Sequence, residues 1–208
     1  MLYGHRGNET DYMENTMFGF MNCKYKGIET DVRLTKDNKV VLYHDDNLLR
    51  LFGVDKNIKD LNYNIANKLC NYNLVMLKDL LNLVKKNNKK LILDIKEIEN
   101  DKIKEIIDYT KWYCYLINYD INNIMYLVWV DYNNNTDNII LRAVDGEYVS
   151  IEFINNIKKL NLNGICLEFT NSIKNNKCID TIMENDLIVN TYTSLKIIRE
   201  DIPYFTLS

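Results

Sequence analysis

At 208 residues, 47% of them hydrophobic, the chain can bury a sizeable core but is too short for two large domains, so one domain over residues 1–208 is expected. A formal net charge of −3 excludes the strongly basic field of a nucleic-acid binder. No stretch approaches the roughly 18 uninterrupted apolar residues of a membrane span, and Met1-Leu2-Tyr3-Gly4-His5 leaves no room for a signal peptide, so a cytoplasmic protein with no stable membrane insertion is expected, its oligomeric state open.

In chain order, Leu2–His5 reads as a strand that ends by presenting His5, Arg6 and Gly7. An arginine fork suits phosphoryl oxygens, and an imidazole can move a proton near neutral pH. By itself the tripeptide reads equally well as a surface turn. A helix is expected over Glu14–Lys24. The strand Gly27–Val32 then carries Glu29 and Asp31 two residues apart, so that period-two alternation sends both carboxylates to one face. Such a pair is solvated, shares a proton, or is held by a hard cation such as Mg²⁺ or Ca²⁺.

Val40–His44 is expected as a third strand, ending in His44-Asp45, and His5 and His44 are the chain's two histidines. Residues 47–72 have no clean period and read as a small insertion after that strand. Leu77, Leu80, Leu81 and Val84 recur at helical spacing in a helix over Leu77–Lys86. The apolar run Lys90–Lys96 is a fourth strand whose Asp94 and Lys96 share a face, either as an ion pair or as a third metal carboxylate beside a phosphate-balancing cation.

Further strands are expected at Met125–Val130, Ile139–Val144, Gly164–Glu168 and Leu187–Tyr192, with helices at Lys102–Leu116, Ile151–Leu160 and Ile179–Asn185. Short apolar runs alternating with amphipathic segments indicate an α/β fold, and eight strands fit a single (β/α)8 TIM-type barrel. Cys23, Cys70, Cys114, Cys166 and Cys178 form no C-x-x-C pair and read as reduced packing thiols.

His5-Arg6-Gly7, Glu14-Asn15-Thr16, Gly27-Ile28-Glu29-Thr30-Asp31-Val32, Leu34-Thr35-Lys36-Asp37 and His44-Asp45 occur in that order, followed by Leu49-Arg50 and Leu91-Ile92-Leu93-Asp94-Ile95-Lys96. Together they resemble the glycerophosphodiester phosphodiesterases. The resemblance implies a TIM-type barrel with its site at the C-terminal ends of the strands. It implies a divalent cation, Mg²⁺ or Ca²⁺, held by Glu29, Asp31 and Asp94, with His5 and His44 as the catalytic pair and Arg6 and Lys96 contacting phosphate. The implied reaction is hydrolysis of a small phosphodiester to glycerol 3-phosphate and an alcohol.

The family commonly has Glu where this chain has Asp94. The C-terminal half matches poorly, since Tyr204-Phe205-Thr206-Leu207-Ser208 lacks the usual acidic ending, which leaves an abbreviated barrel open. Two other readings stand beside the first: a lysophospholipase D or sphingomyelinase D-like phosphodiesterase, and a catalytically silent phosphate-binding protein.

Overall fold

The structure is a computed structural model describing residues 2–7, 11–96, 126–130, 139–143, 151–159, 164–168, 176–193 and 204–207. The helix expected over 102–116 lies outside these residues.

Among the described residues, nine strands join in one sheet: β1 (Leu2–Gly4), β2 (Gly27–Leu34), β3 (Val40–Leu42), β6 (Lys90–Ile95), β7 (Tyr126–Val130), β8 (Ile139–Ala143), β9 (Gly164–Glu168), β10 (Ile188–Thr193) and β11 (Tyr204–Leu207). Their order is β1-β11-β10-β9-β8-β7-β6-β2-β3, and β1 pairs with β2 as well as with β11. The arrangement is α/β, mostly parallel and TIM-barrel-like. A separate two-stranded sheet, β4 (Asn47–Leu48) with β5 (Val54–Asn57), falls inside the segment read as an insertion.

Two expectations are corrected by the strand directions. Val40–Leu42 is not a third parallel strand: β3 runs antiparallel to β2, with Val32 opposite Leu42. Only Thr35–Lys39 separates the two strands, a connection long enough for a hairpin but not for a parallel crossover of a dozen or more residues. Likewise β7 is antiparallel to both β6 and β8, and only residues 131–138 lie between β7 and β8. The C-terminal Tyr204–Leu207, not counted as a strand from the sequence, is β11 and pairs in parallel with β1 and β10.

The helices are α1 (Met17–Asn22), α2 (Leu49–Phe52), α3 (Tyr63–Leu69), α4 (Leu77–Asn87), α5 (Ile151–Lys159) and α6 (Asn176–Glu184). In α4 the stripe Leu77, Leu80, Leu81 and Val84 is buried, and Asn88 caps the helix in the left-handed conformation with φ 49°. Thr16 caps α1, its hydroxyl accepting from the Gly19 amide at 3.2 Å. The segment after β3 packs its own cluster of Val41, Tyr43, Leu48, Ile58, Ala66, Cys70 and Leu74, which fixes it to the sheet beside His44. Cys23 and Cys70 are buried thiols. Among the described residues no helix is long and apolar enough to cross a membrane.

Gly27 opens β2 opposite Tyr3, where an added Cβ would lie 2.1 Å from the Tyr3 ring. That ring is 2% exposed and has little room to yield. Gly27→Ala should therefore destabilise the fold by about 1–3 kcal/mol, the usual cost of overpacking a core. Chemical denaturation checks this, and an unchanged midpoint would show that β1 and β2 can slide apart.

Candidate active site

The site is built where β1 ends and β2 and β6 run side by side. Both faces of β2 are buried, as in sheets covered on two sides, so its carboxylates are withdrawn from bulk water. Glu29 is 0% exposed, and Asp31 and Asp94 are each 1% exposed. Parallel register sets Asp31 directly beside Asp94, and the alternation of β2 returns Glu29 to the same side. Carboxylate oxygens of the three residues lie within 4.8 Å of one another.

Cations line this cluster. Lys96 extends from the end of β6 and places Nζ 2.7 Å from Asp94 Oδ2 and 3.2 Å from Asp31 Oδ1. Arg6 donates its backbone amide to Glu29 Oε2 at 3.0 Å, while its Nε lies 3.4 Å from Asp31 Oδ2. The Asn15 amide donates to Asp31 Oδ2 at 3.0 Å and its carbonyl accepts from the Thr30 hydroxyl at 2.7 Å. His5 Nε2 stands 3.8 Å from Glu29 Oε2.

Holding these contacts requires unusual backbone. Arg6, Gly7 and Asn15 all take positive φ, at 48°, 82° and 54°. Asparagine and glycine enter this region readily, but for an arginine it costs on the order of 1 kcal/mol or more. The strain is held by the Arg6 amide on Glu29 and by the Asn15 amide on the Arg6 carbonyl at 2.8 Å. Gly7 is also pinned by sterics, since a Cβ there would meet the Phe20 ring at 2.5 Å.

Burial and charge drive the acids apart. Burial pushes the Glu29 carboxyl up to about 7; His5 opposes the rise, while the neighbouring Asp31 and Asp94 charges add to it. Burial would raise Asp31 too, but Lys96, Arg6 and His44, with the Asn15 hydrogen bond, outweigh it and bring that carboxyl to about 2. One acid of the cluster therefore titrates around neutrality, while another is ionised there.

His44 follows β3 and is drawn alongside Asp31, because the Tyr43 amide donates to the Asp31 carbonyl at 3.1 Å. Its own carbonyl accepts from Arg33 Nε and Nη2 at 2.9 and 2.7 Å. Its Nδ1 contacts Asp45 Oδ1 at 2.6 Å, and a carboxylate there accepts, so Nδ1 carries the proton and Nε2 remains for chemistry.

Each residue singled out from the sequence thus lies in or beside one cluster. Of the two parts the sequence left open for Lys96, ion pair or phosphate contact, this structure shows the first, its ammonium resting on two carboxylates. Sequence reasoning assigned no role to Glu14, Asn15, Asp45 or Arg50 beyond their places in the ordered motifs. The available signal was that Glu14, Asp45 and Arg50 are charged residues within or next to the ordered motifs.

Among the described residues, the group that could hold an ion is three buried carboxylates, an oxygen donor set suited to a hard divalent cation. The residues present therefore fit such an ion.

A solved glycerophosphodiester phosphodiesterase from Thermotoga maritima is similar over 99% of this chain and 93% of its own, at 25% identity and a TM-score of 0.76. An Oleispira antarctica phosphodiesterase, solved with its product sn-glycerol-3-phosphate, shares the fold at a TM-score of 0.71 and 16% identity, covering 99% of this chain and 92% of that one. Human lysophospholipase D GDPD1 is 45% identical over 62 residues, which make up 28% of this chain and only 20% of the human protein. The sequence profile of the glycerophosphoryl diester phosphodiesterase family matches residues 5–201, and the chain belongs to that family.

Proposed function

We propose that the protein is a metal-dependent phosphodiesterase that cleaves glycerophosphodiesters to glycerol 3-phosphate and an alcohol. The observation carrying this reading is the convergence of Glu29, Asp31 and Asp94 within 4.8 Å, ringed by Arg6, Lys96 and His5. Family membership and the product bound to the Oleispira enzyme support the substrate class. We take the eight strands other than β3, β4 and β5 to close as a barrel through the β1–β2 pairing, in a single domain to which residues 47–72 are an insertion.

Glu29, Asp31 and Asp94 would hold the cation, Mg²⁺ or Ca²⁺, which supplies positive charge for the phosphoryl oxygens. Arg6 offers a guanidinium to the same oxygens, already oriented by Glu14 Oε2 at 3.1 Å. Lys96 offsets the buried negative charge of Asp31 and Asp94 and, with a cation supplying that charge, its ammonium would be available to phosphate. His5 and His44 divide the proton transfers at the entering and leaving oxygens. A silent binding protein has no use for two imidazoles at the edge of this cluster.

A second reading, a lysophospholipase D acting on a diester with an acyl chain, is favoured by two exposed apolar side chains. Met13 is 41% and Leu49 52% exposed, and each adjoins one partner of the Glu14–Arg50 pair at the rim. One assay separates the readings. Turnover of a panel of glycerophosphodiesters and lysophospholipids should show Mg²⁺- or Ca²⁺-dependent release of glycerol 3-phosphate. Preference for the lysophospholipids would favour the second reading, and no hydrolysis of either class with any divalent ion would defeat both.

A further inference from the structure

The segment that follows β3 reaches back to the site through one side chain. Arg50, on the short helix α2, donates Nε to Asp45 Oδ2 at 2.6 Å. It also grips Glu14 with two parallel bonds, Nη1 to Oε2 at 2.9 Å and Nη2 to Oε1 at 2.6 Å. The other oxygen of Asp45 meets His44 Nδ1, and Glu14 Oε2 is shared with Arg6. An unbroken chain therefore runs Arg6, Glu14, Arg50, Asp45, His44, joining a phosphate-binding guanidinium to a proton-transferring imidazole. Arg50 is its central link and touches neither.

The geometry points to Arg50 as a positioning residue that sets the tautomer and orientation of His44 through Asp45, an inference that rests on the catalytic reading of His44. A carboxylate holding an imidazole works only if it is itself held. Asp45 has one oxygen for His44 and one for Arg50, so without Arg50 it can rotate away and leave Nδ1 and Nε2 to exchange the proton. The guanidinium is well placed to prevent this, because its fork is fixed against Glu14, and Glu14 is only 9% exposed at its side chain. Burial would raise the Asp45 carboxyl, but hydrogen bonds from Arg50 and His44 keep it below its ordinary value, so it stays an acceptor. Arg33 on the His44 carbonyl fixes the backbone, which leaves the ring as the part that Arg50 governs.

Two readouts on the full chain test this. The first is the ¹⁵N spectrum of histidine-labelled protein at alkaline pH, where His5 and His44 are the only signals and His44→Ala assigns them. The parent should show His44 protonated at Nδ1, and Arg50→Ala should show an average of both tautomers. The second is turnover of the best substrate from the diester panel with saturating divalent ion. Arg50→Ala should lower kcat by about 10-fold or more, within the range for losing an outer hydrogen-bond partner, while KM changes less than about threefold. Arg50→Lys keeps a charge near Asp45 without the fork, so it should be intermediate; it also carries the test if the alanine variant does not fold. Adding Arg50→Ala to Asp45→Ala should slow the enzyme no further. The inference is overturned if Arg50→Ala keeps the parent tautomer, whatever happens to the melting temperature, or if the two losses multiply. Should the parent hydrolyse no diester at all, the catalytic reading fails while the tautomer comparison still decides what Arg50 does.

Discussion

His44→Ala should lower kcat by at least about 10²-fold, with metal content and KM little changed, because losing a general acid or base typically costs that much. The imidazole is committed at Nδ1 to Asp45, while Arg33 holds the residue's main-chain carbonyl, which leaves Nε2 as the ring atom able to exchange a proton with substrate. The candidate cation ligands are the oxygens of Glu29, Asp31 and Asp94, so removing His44 takes away no donor from that set. Single-turnover assays together with elemental analysis measure both quantities. If His44 is the acid, a leaving group of low pKa should recover part of the lost rate, because it departs without a proton. Failure of that recovery, with the rate still lost, would make His44 the base and leave His5 as the acid. Loss of the cation alongside the rate would instead show that His44 holds the ion.

Much of this site was legible because its residues lie on strands, or just after them, in a regular pattern. Period-two alternation was enough to place Glu29 and Asp31 together, and the same rule linked Asp94 to Lys96. Direction was not legible. Val40–Leu42 has the apolar composition of a parallel strand, and only the short link from Leu34 reveals a hairpin. Tyr204–Leu207 was discounted because its residues did not match a family ending, although Tyr-Phe-Thr-Leu is good strand material. Each of the eight expected strands is present in the sheet, two of them, β3 and β7, running antiparallel to their neighbours, and β11 joins them as a strand not expected from the sequence.

The Glu14–Arg50–Asp45 chain was hidden for another reason. Its hydrogen bonds span 36 residues between Glu14 and Arg50, and no periodicity encodes a side-chain contact across that distance. For Lys96 the sequence left two parts open, because charge type alone does not tell a phosphate ligand from a counter-ion for buried acids. In this structure the carboxylates are 2.7 and 3.2 Å away and hold it.

Cation binding should weaken as pH falls below about 7 and should be accompanied by proton release, because Glu29 must lose a proton to serve as a ligand. With the Glu29 carboxyl at about 7 in the metal-free protein, affinity should drop by up to about tenfold for each pH unit below that point and level off above it. Asp31, near 2, stays ionised throughout and adds no slope. The sign for stability runs the other way. A carboxyl whose folded pKa lies above its ordinary 4.5 stabilises the metal-free fold fully below that value, and the contribution is lost as pH rises through about 7. Metal-free protein should therefore melt lower at about pH 8 than at about pH 6 as far as Glu29 governs it, and saturating Mg²⁺ or Ca²⁺ should remove that difference, because Glu29 is then ionised in the folded and the unfolded state alike. Glu29→Gln removes the titrating group, so it should abolish both the slope and the proton release while weakening the ion and lowering turnover by orders of magnitude. Calorimetric titrations in two buffers of different ionisation enthalpy measure affinity and proton release together. Binding of equal strength across about pH 5 to 8, with no proton released, would mean that Glu29 does not ligate the cation, and full turnover after chelation would remove the carboxylate cluster from the mechanism.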